Sequence, residues 1–171
     1  MKNIVFNCGE YNDLEKELNK VLDKKKIKYS SCIKELDINI NKLYFLNTKE
    51  YDNENDNSNV IYSEINGYKF MFMGDTGAEK EKDILNKYNI SGIDVLKIGH
   101  HGSKTSSSQE FINEINPNYS IISAGKNNRY GHPNKEVLNN LSDSKIYRTD
   151  QDDSIMFKIK NNKLKIETCS P

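Results

Sequence analysis

What most constrains this chain is its alternation of short apolar runs with segments patterned or capped as helices. In its second half, "YKFMFM" (68–73), "IDVLKI" (93–98), "YSIIS" (119–123) and "KIYRT" (145–149) read as strands, and a helix-like segment lies between each pair. Those segments run from about Glu79 to Tyr88, from about Ser107 to Pro117, and over "HPNKEVLNNL" (132–141). Ser107 with Glu110 three residues on has the form of a capping box. Pro117 stops that helix, and Pro133 sits near the first turn of the next. A mixed α/β layer structure follows.

The first half adds a β-α-β unit. "KNIVF" (2–6) and "IKYSSC" (27–32) are strands, with a helix capped by Asn12 or Asp13 carrying Leu14, Leu18, Val21 and Leu22 on one face. The expected outcome is a parallel pair with that helix packed across it. "KLYFLNT" (42–48) is a further strand, and "KEYDNENDNSN" (49–59) has too few apolar residues for anything but loop. Asn66-Gly67 between "VIYSEI" and "YKFMFM" is a strong two-residue hairpin signal, since both positions of a type I′ turn need positive φ. A second hairpin closes the chain, "SIMFKI" and "KLKIET" around Asn161-Asn162. No internal repeat or interdomain linker is visible, so 1–171 reads as one domain.

Charge excludes some functions and leaves others open. The 25 basic and 25 acidic residues cancel, so there is no overall field to draw in a polyanion, and any such contact must be local. Arg129 and Arg148 are the only arginines, in a Lys-, Asn- and Ile-rich composition of the kind an AT-rich genome produces. No apolar run approaches the roughly 18 residues of a membrane span, and the start lacks a signal-peptide apolar region. The chain as given reads as soluble and cytoplasmic. Cys8, Cys32 and Cys169 are odd in number and far apart, without C-x-x-C spacing, which points to free thiols in a reducing compartment.

Reactive side chains gather immediately after strands: Asp75 after "FMFMG", His100 and His101 after "VLKIG", Asp150 after "KIYRT", and Arg129, Tyr130 and His132 in the loop after "YSIIS". Ligands collect at the carboxyl ends of strands in open α/β sheets, so one shared site is expected. An aspartate with two or three histidines suits zinc or manganese. A lone Gly-Asp is equally a turn, and of two adjacent histidines along a strand only one faces a given metal. "HGSKTSSSQ" could hold phosphate: Gly102 lets the backbone approach, Lys104 brings charge, and Ser103, Thr105 and Ser106 flank a helix start with free N–H groups. The alternative is an ordinary capped helix after a solvated loop. Arg129, Tyr130 and His132 are either surface loop or substrate contacts, with His132 as phosphate clamp or general acid. Arg148 and Asp150 read as structural.

In this order and spacing, "GYKFMFMGD", "DVLKIGHHGSKTSSS", "SIISAGKNNRYGHP" and "IYRTDQDDSI" closely resemble the C-terminal metallo-β-lactamase-like domain of ComEC-type competence proteins, membrane proteins that import single-stranded DNA during natural transformation. The resemblance runs from about Asn57 to the end. It implies an αββα sandwich, with mixed sheets flanked by helices, and a two-metal site acting on DNA or another phosphodiester. It also implies a metal-bridging role for Asp75, a second-metal ligand in His100, with His101 as the alternative, and a place for His132 near the substrate phosphate.

Two departures bear on this. Asp153 stands where the family pattern "TDQDGS" has Gly. More important, the H-x-H-x-D-H motif that supplies most ligands of the first metal is absent from the sequence. The chain is therefore expected to be the C-terminal part of such a domain, with weak or no metal binding and little hydrolase activity alone. Half a sandwich would leave apolar surface open, inviting a dimer.

Overall fold

The computed structural model describes residues 3–169. Seven strands form one mixed sheet in chain order: β3 (Glu35–Ile38), β4 (Asn41–Phe45), β5 (Ile61–Ile65), β6 (Tyr68–Phe72), β7 (Val95–Lys97), β8 (Tyr119–Ile122) and β9 (Lys145–Arg148). Strands β3 to β6 pair antiparallel, and β6 to β9 pair parallel. The direction changes where the connections change. Up to β6 they are turns or loops; beyond it each carries a helix, α2 (Ala78–Lys87), α3 (Gln109–Ile115) or α4 (Lys135–Asn140), and a parallel neighbour requires such a crossover.

Two apolar faces explain why the central strands are mostly apolar. Met71, Leu96 and Ile122 point to one side and pack with Ile84 of α2, Phe111, Ile112 and Ile115 of α3, and Val137 of α4. Their chain neighbours Phe70, Val95 and Ile121 point to the other, where the hairpin β10 (Ser154–Lys160) and β11 (Lys163–Cys169) covers them with Ile155, Phe157, Ile159 and Leu164. Successive side chains alternate across a strand, so a strand covered on both faces favours apolar residues at nearly every position, and the buried exception, Ser120, is satisfied by the Ser144 hydroxyl at 2.8 Å. The layers are helices, mixed sheet and hairpin: the mixed α/β sheet flanked by helices that the sequence leads one to expect.

Both hairpin signals hold. Asn66 and Gly67 have φ of 50° and 80° between the paired residues Ile65 and Tyr68, and Asn161 and Asn162 have φ of 51° and 56° between Lys160 and Lys163. The N-terminal unit is also a parallel pair, β1 (Asn3–Phe6) with β2 (Lys28–Ser31), although Lys2 of the expected first strand lies outside the described residues. Between them α1 (Asp13–Lys24) starts at a reciprocal capping box of Asn12 and Glu15. Its expected packing across the pair is only partial: Leu22 is buried, but Leu14, Leu18 and Val21 are 78%, 41% and 47% exposed.

Several expectations are corrected. Cys8 and Cys32 are not free thiols but a disulfide, and only Cys169 is free. Strand β3 was not legible, because "ELDI" is mostly exposed at the sheet edge. The polar run 49–59 is not merely loop: it contains a 3₁₀ turn over Glu54–Asn57 and buries Tyr51 and Asp56. Helix α3 is capped by Ser108 rather than Ser107, its hydroxyl accepting the Phe111 N–H at 3.3 Å. Helix α4 is capped by Asn134, so Pro133 precedes the helix instead of opening it.

Candidate functional site

The carboxyl ends of β6, β7 and β8 bring the sequence-selected residues together. Asp75 follows Gly74, whose φ of 62° turns the chain away from the sheet. A Cβ at Gly74 would lie 2.8 Å from the Ser58 Cβ, so only glycine lets the two segments meet. At that contact the Ser58 hydroxyl accepts the Asp75 N–H at 3.1 Å. Two buried charges fix the same corner. Lys80 of α2 donates to the Ser58 carbonyl at 2.7 Å, and Asp56 accepts the Gly77 N–H at 2.6 Å, capping α2. Burial holds the Lys80 ammonium down at about 8, against the raising influence of Asp56. Asp56, Ser58 and Lys80 carried no recognisable chemical signal in the sequence; a buried lysine facing a carbonyl is visible only in three dimensions.

His100 and His101 lie not on a strand but in a tight turn over Gly99–Gly102, with φ of 45° and 56°. Such positive φ is uncommon for residues other than glycine, and here it sends the two imidazoles apart. His101 places Nε2 3.8 Å from the Asp75 carboxylate, while its Nδ1 meets the Ser123 carbonyl at 2.7 Å. Nδ1–H donates to that carbonyl, which leaves Nε2 as the ring nitrogen facing Asp75, and a backbone or side-chain acceptor on the other nitrogen is also what orients metal-binding histidines. His100 turns toward Thr105, whose hydroxyl is 3.4 Å from its Nδ1, and toward His132, the ring centroids 6.1 Å apart. The partner of Asp75 in this geometry is thus His101, whereas the family resemblance favoured His100.

His132 sits at the base of an exposed stack. The Tyr130 ring lies parallel to it with centroids 5.8 Å apart, and the Arg129 guanidinium is 4.8 Å from the Tyr130 centroid. Asn128 holds the loop closed: its amide donates to the His132 carbonyl at 2.7 Å and its carbonyl oxygen accepts the His132 N–H at 2.9 Å. Burial, and then the neighbouring His100 and His101, depress the His132 pKa. Tyr130 is 66% exposed, so one aromatic face and one guanidinium border the site.

The phosphate cradle read from "HGSKTSSS" is occupied by the protein itself. The fully buried carboxylate of Glu81 accepts the N–H groups of Ser107 at 2.5 Å and Ser108 at 3.0 Å, so those two donors at the entry to α3 are not offered to a ligand. Ser103 and Ser106 are buried; the Ser106 hydroxyl donates to the Gly99 and Ser103 carbonyls. Gly102 is packed beneath Pro133 and accepts the Asn134 N–H at 2.8 Å. Of the expected phosphate contacts only Lys104 and Thr105 are exposed. Arg148 and Asp150 form a two-bond ion pair at the end of β9, which holds the Asp150 carboxyl below its usual range. Asp153 has φ of 52°, a conformation glycine adopts more cheaply.

The metal that the sequence resemblance implies needs more ligands than this corner supplies. Asp75 and His101 face one another, but among the described residues no group of three His, Cys, Asp or Glu is gathered closely enough to hold an ion. Catalytic zinc takes three protein ligands and a water. Two ligands do not fit that centre.

No family model matches the chain. It is 43% identical over 110 residues, 63% of its length, to ComE operon protein 3 of Bacillus subtilis, and 36% identical over 118 residues, 66%, to competence protein ComA of Neisseria gonorrhoeae. Recombination protein 2 of Haemophilus influenzae is 34% identical over 88 residues, 52% of the chain. The matches span 14%, 17% and 11% of those relatives. A solved candidate Zn-dependent hydrolase of the metallo-β-lactamase superfamily from Thermotoga maritima is a loose likeness, with TM-score 0.42 and 13% identity over 86% of this chain and 83% of that one. Among the described residues no helix is long and apolar enough to cross a membrane. Over about two thirds of its length, the chain is a homologue of one segment of the ComEC-type competence proteins.

Proposed function

We propose that this chain is the C-terminal portion of a ComEC-like metallo-β-lactamase-type domain, which in complete form is a metal-dependent phosphodiesterase acting on DNA during uptake. By itself the chain is inactive. The observation that carries this reading is Asp75 facing Nε2 of His101 across 3.8 Å at the ends of adjacent parallel strands, half of a ligand set that no third His, Cys, Asp or Glu among the described residues joins. In the complete form a zinc or manganese ion would need further protein ligands beside Asp75 and His101, and His132 with Arg129 and Tyr130 would border the phosphodiester.

A second reading, a non-catalytic phosphate or nucleic-acid binding module, is favoured by one feature: the exposed Arg129–Tyr130–His132 stack, which could receive a base on its aromatic face. One experiment addresses both. Single- and double-stranded oligonucleotides are incubated with the chain and Zn²⁺ or Mn²⁺, with binding followed by filter retention at low and high salt. No cleavage above buffer is expected. Metal-dependent turnover that is lost in Asp75→Asn would overturn the claim of inactivity. Metal-independent, salt-sensitive micromolar binding that weakens about tenfold or more in Tyr130→Ala would favour the second reading.

A further inference from the structure

We propose that Cys8–Cys32 is a redox-controlled staple that keeps the N-terminal β1–α1–β2 unit folded, and that this unit therefore operates where thiols are oxidised. The two cysteines stand at the same end of the strand pair, just beyond Phe6 and Ser31, the last residues in register. Their bond closes a loop, 24 residues in separation, that contains the whole of α1.

The unit has little else to hold it. Its buried apolar residues are Phe6 and Leu22, while Leu14, Leu18 and Val21 face solvent. Phe6 packs edge-on against Tyr11 and Tyr29, with centroids 5.2 Å and 6.0 Å away. Asn19 is buried with its Oδ1 unpartnered, which costs rather than stabilises. A parallel pair of strands is ordinarily covered on both faces, and a unit of fewer than about 40 residues usually needs a disulfide or a metal. Cys32 adds a second sign of constraint. Its φ of 52° is a conformation that a non-glycine residue keeps only when its surroundings hold it, and here the bond to Cys8 does so.

Reduction by a dithiol is balanced simply. A thiolate of the reductant attacks one sulfur, the mixed disulfide resolves to the reductant's own disulfide, and Cys8 and Cys32 receive two electrons and two protons as thiols. The loop constraint is then lost from the unfolded ensemble, and the β1–α1–β2 unit opens.

The test uses the full chain, expressed into an oxidising compartment and purified without reductant. Alkylation before reduction is expected to label Cys169 alone, and peptide mapping to yield a Cys8–Cys32 cross-linked pair. On adding dithiothreitol, tryptic cleavage at Lys16, Lys20 and Lys24 of α1 is expected to accelerate at least about tenfold, while cleavage within β5–β8 keeps its rate. Cys8→Ser/Cys32→Ser is expected to match the reduced protein with or without dithiothreitol. Should that variant fail to accumulate, reduction of the wild type still decides the matter. Three alkylatable thiols in the unreduced protein, or tryptic rates in α1 indifferent to reduction, would overturn the proposal.

Discussion

Glu81→Ala is expected to destabilise the chain by about 2–4 kcal/mol, read as a lowered urea midpoint at unchanged slope. The Glu81 carboxylate is fully buried and accepts the N–H groups of both Ser107 and Ser108. Alanine leaves two donors in the interior without partners, each at a cost of about 1–3 kcal/mol, partly offset because a carboxylate no longer has to be desolvated. Burial also raises the Glu81 pKa, against the lowering influence of the two N–H groups. A pKa raised in the folded state means that the stability Glu81 contributes is full below the ordinary carboxyl range and declines as pH rises through the folded value. The gap between wild type and Glu81→Ala is therefore expected to be wider in mild acid than at neutral pH. A gap that grows toward neutral pH would show that the hydrogen bonds, not burial, dominate.

Gly102→Ala is expected to cost about 2–4 kcal/mol, the sum of a positive-φ penalty and overpacking. Gly102 has φ of 78°, and a Cβ there would lie 2.7 Å from the Pro133 Cβ and 3.2 Å from its Cα. The backbone of Pro133 cannot give way without moving Asn134, whose N–H donates to the Gly102 carbonyl. Gly131→Ala is the matched control, with φ of 66° but nothing within 4 Å of the added carbon. It is expected to cost only the conformational part, about 1–2 kcal/mol. Equal urea midpoints for the two variants would mean that the Gly102–Pro133 contact carries no strain.

These residues mark where the sequence could be read and where it could not. Asn66-Gly67 was legible because a two-residue turn with two positive φ angles leaves few other choices of residue. The strand-end clustering of Asp75, His101 and His132 was legible because topology alone brings the ends of neighbouring parallel strands together. The role of Glu81 was hidden: it is one of several charged residues in "AEKEKD", and only the fold decides that it points inward to the start of α3. That inward carboxylate is why the Ser107 and Ser108 N–H groups of the phosphate cradle expected from "GSKTSSS" are taken by the chain itself. The histidine pair was half legible. That only one of them faces Asp75 was expected from strand alternation, but His100 and His101 are sent apart by a left-handed turn after β7 rather than by a strand, and which of them faces Asp75 was not readable. The pairing of Cys8 with Cys32 depends on the strand register of β1 with β2, which no spacing rule supplies.

The central claim is that Asp75 and His101 form half of a metal site that the chain does not complete. Metal analysis of the purified, Zn²⁺- or Mn²⁺-equilibrated and then desalted protein tests it most directly, with Asp75→Ala and His101→Ala alongside. The account predicts well under one ion per chain for the wild type, falling to background in both variants. Nearly two ions retained per wild-type chain would contradict it.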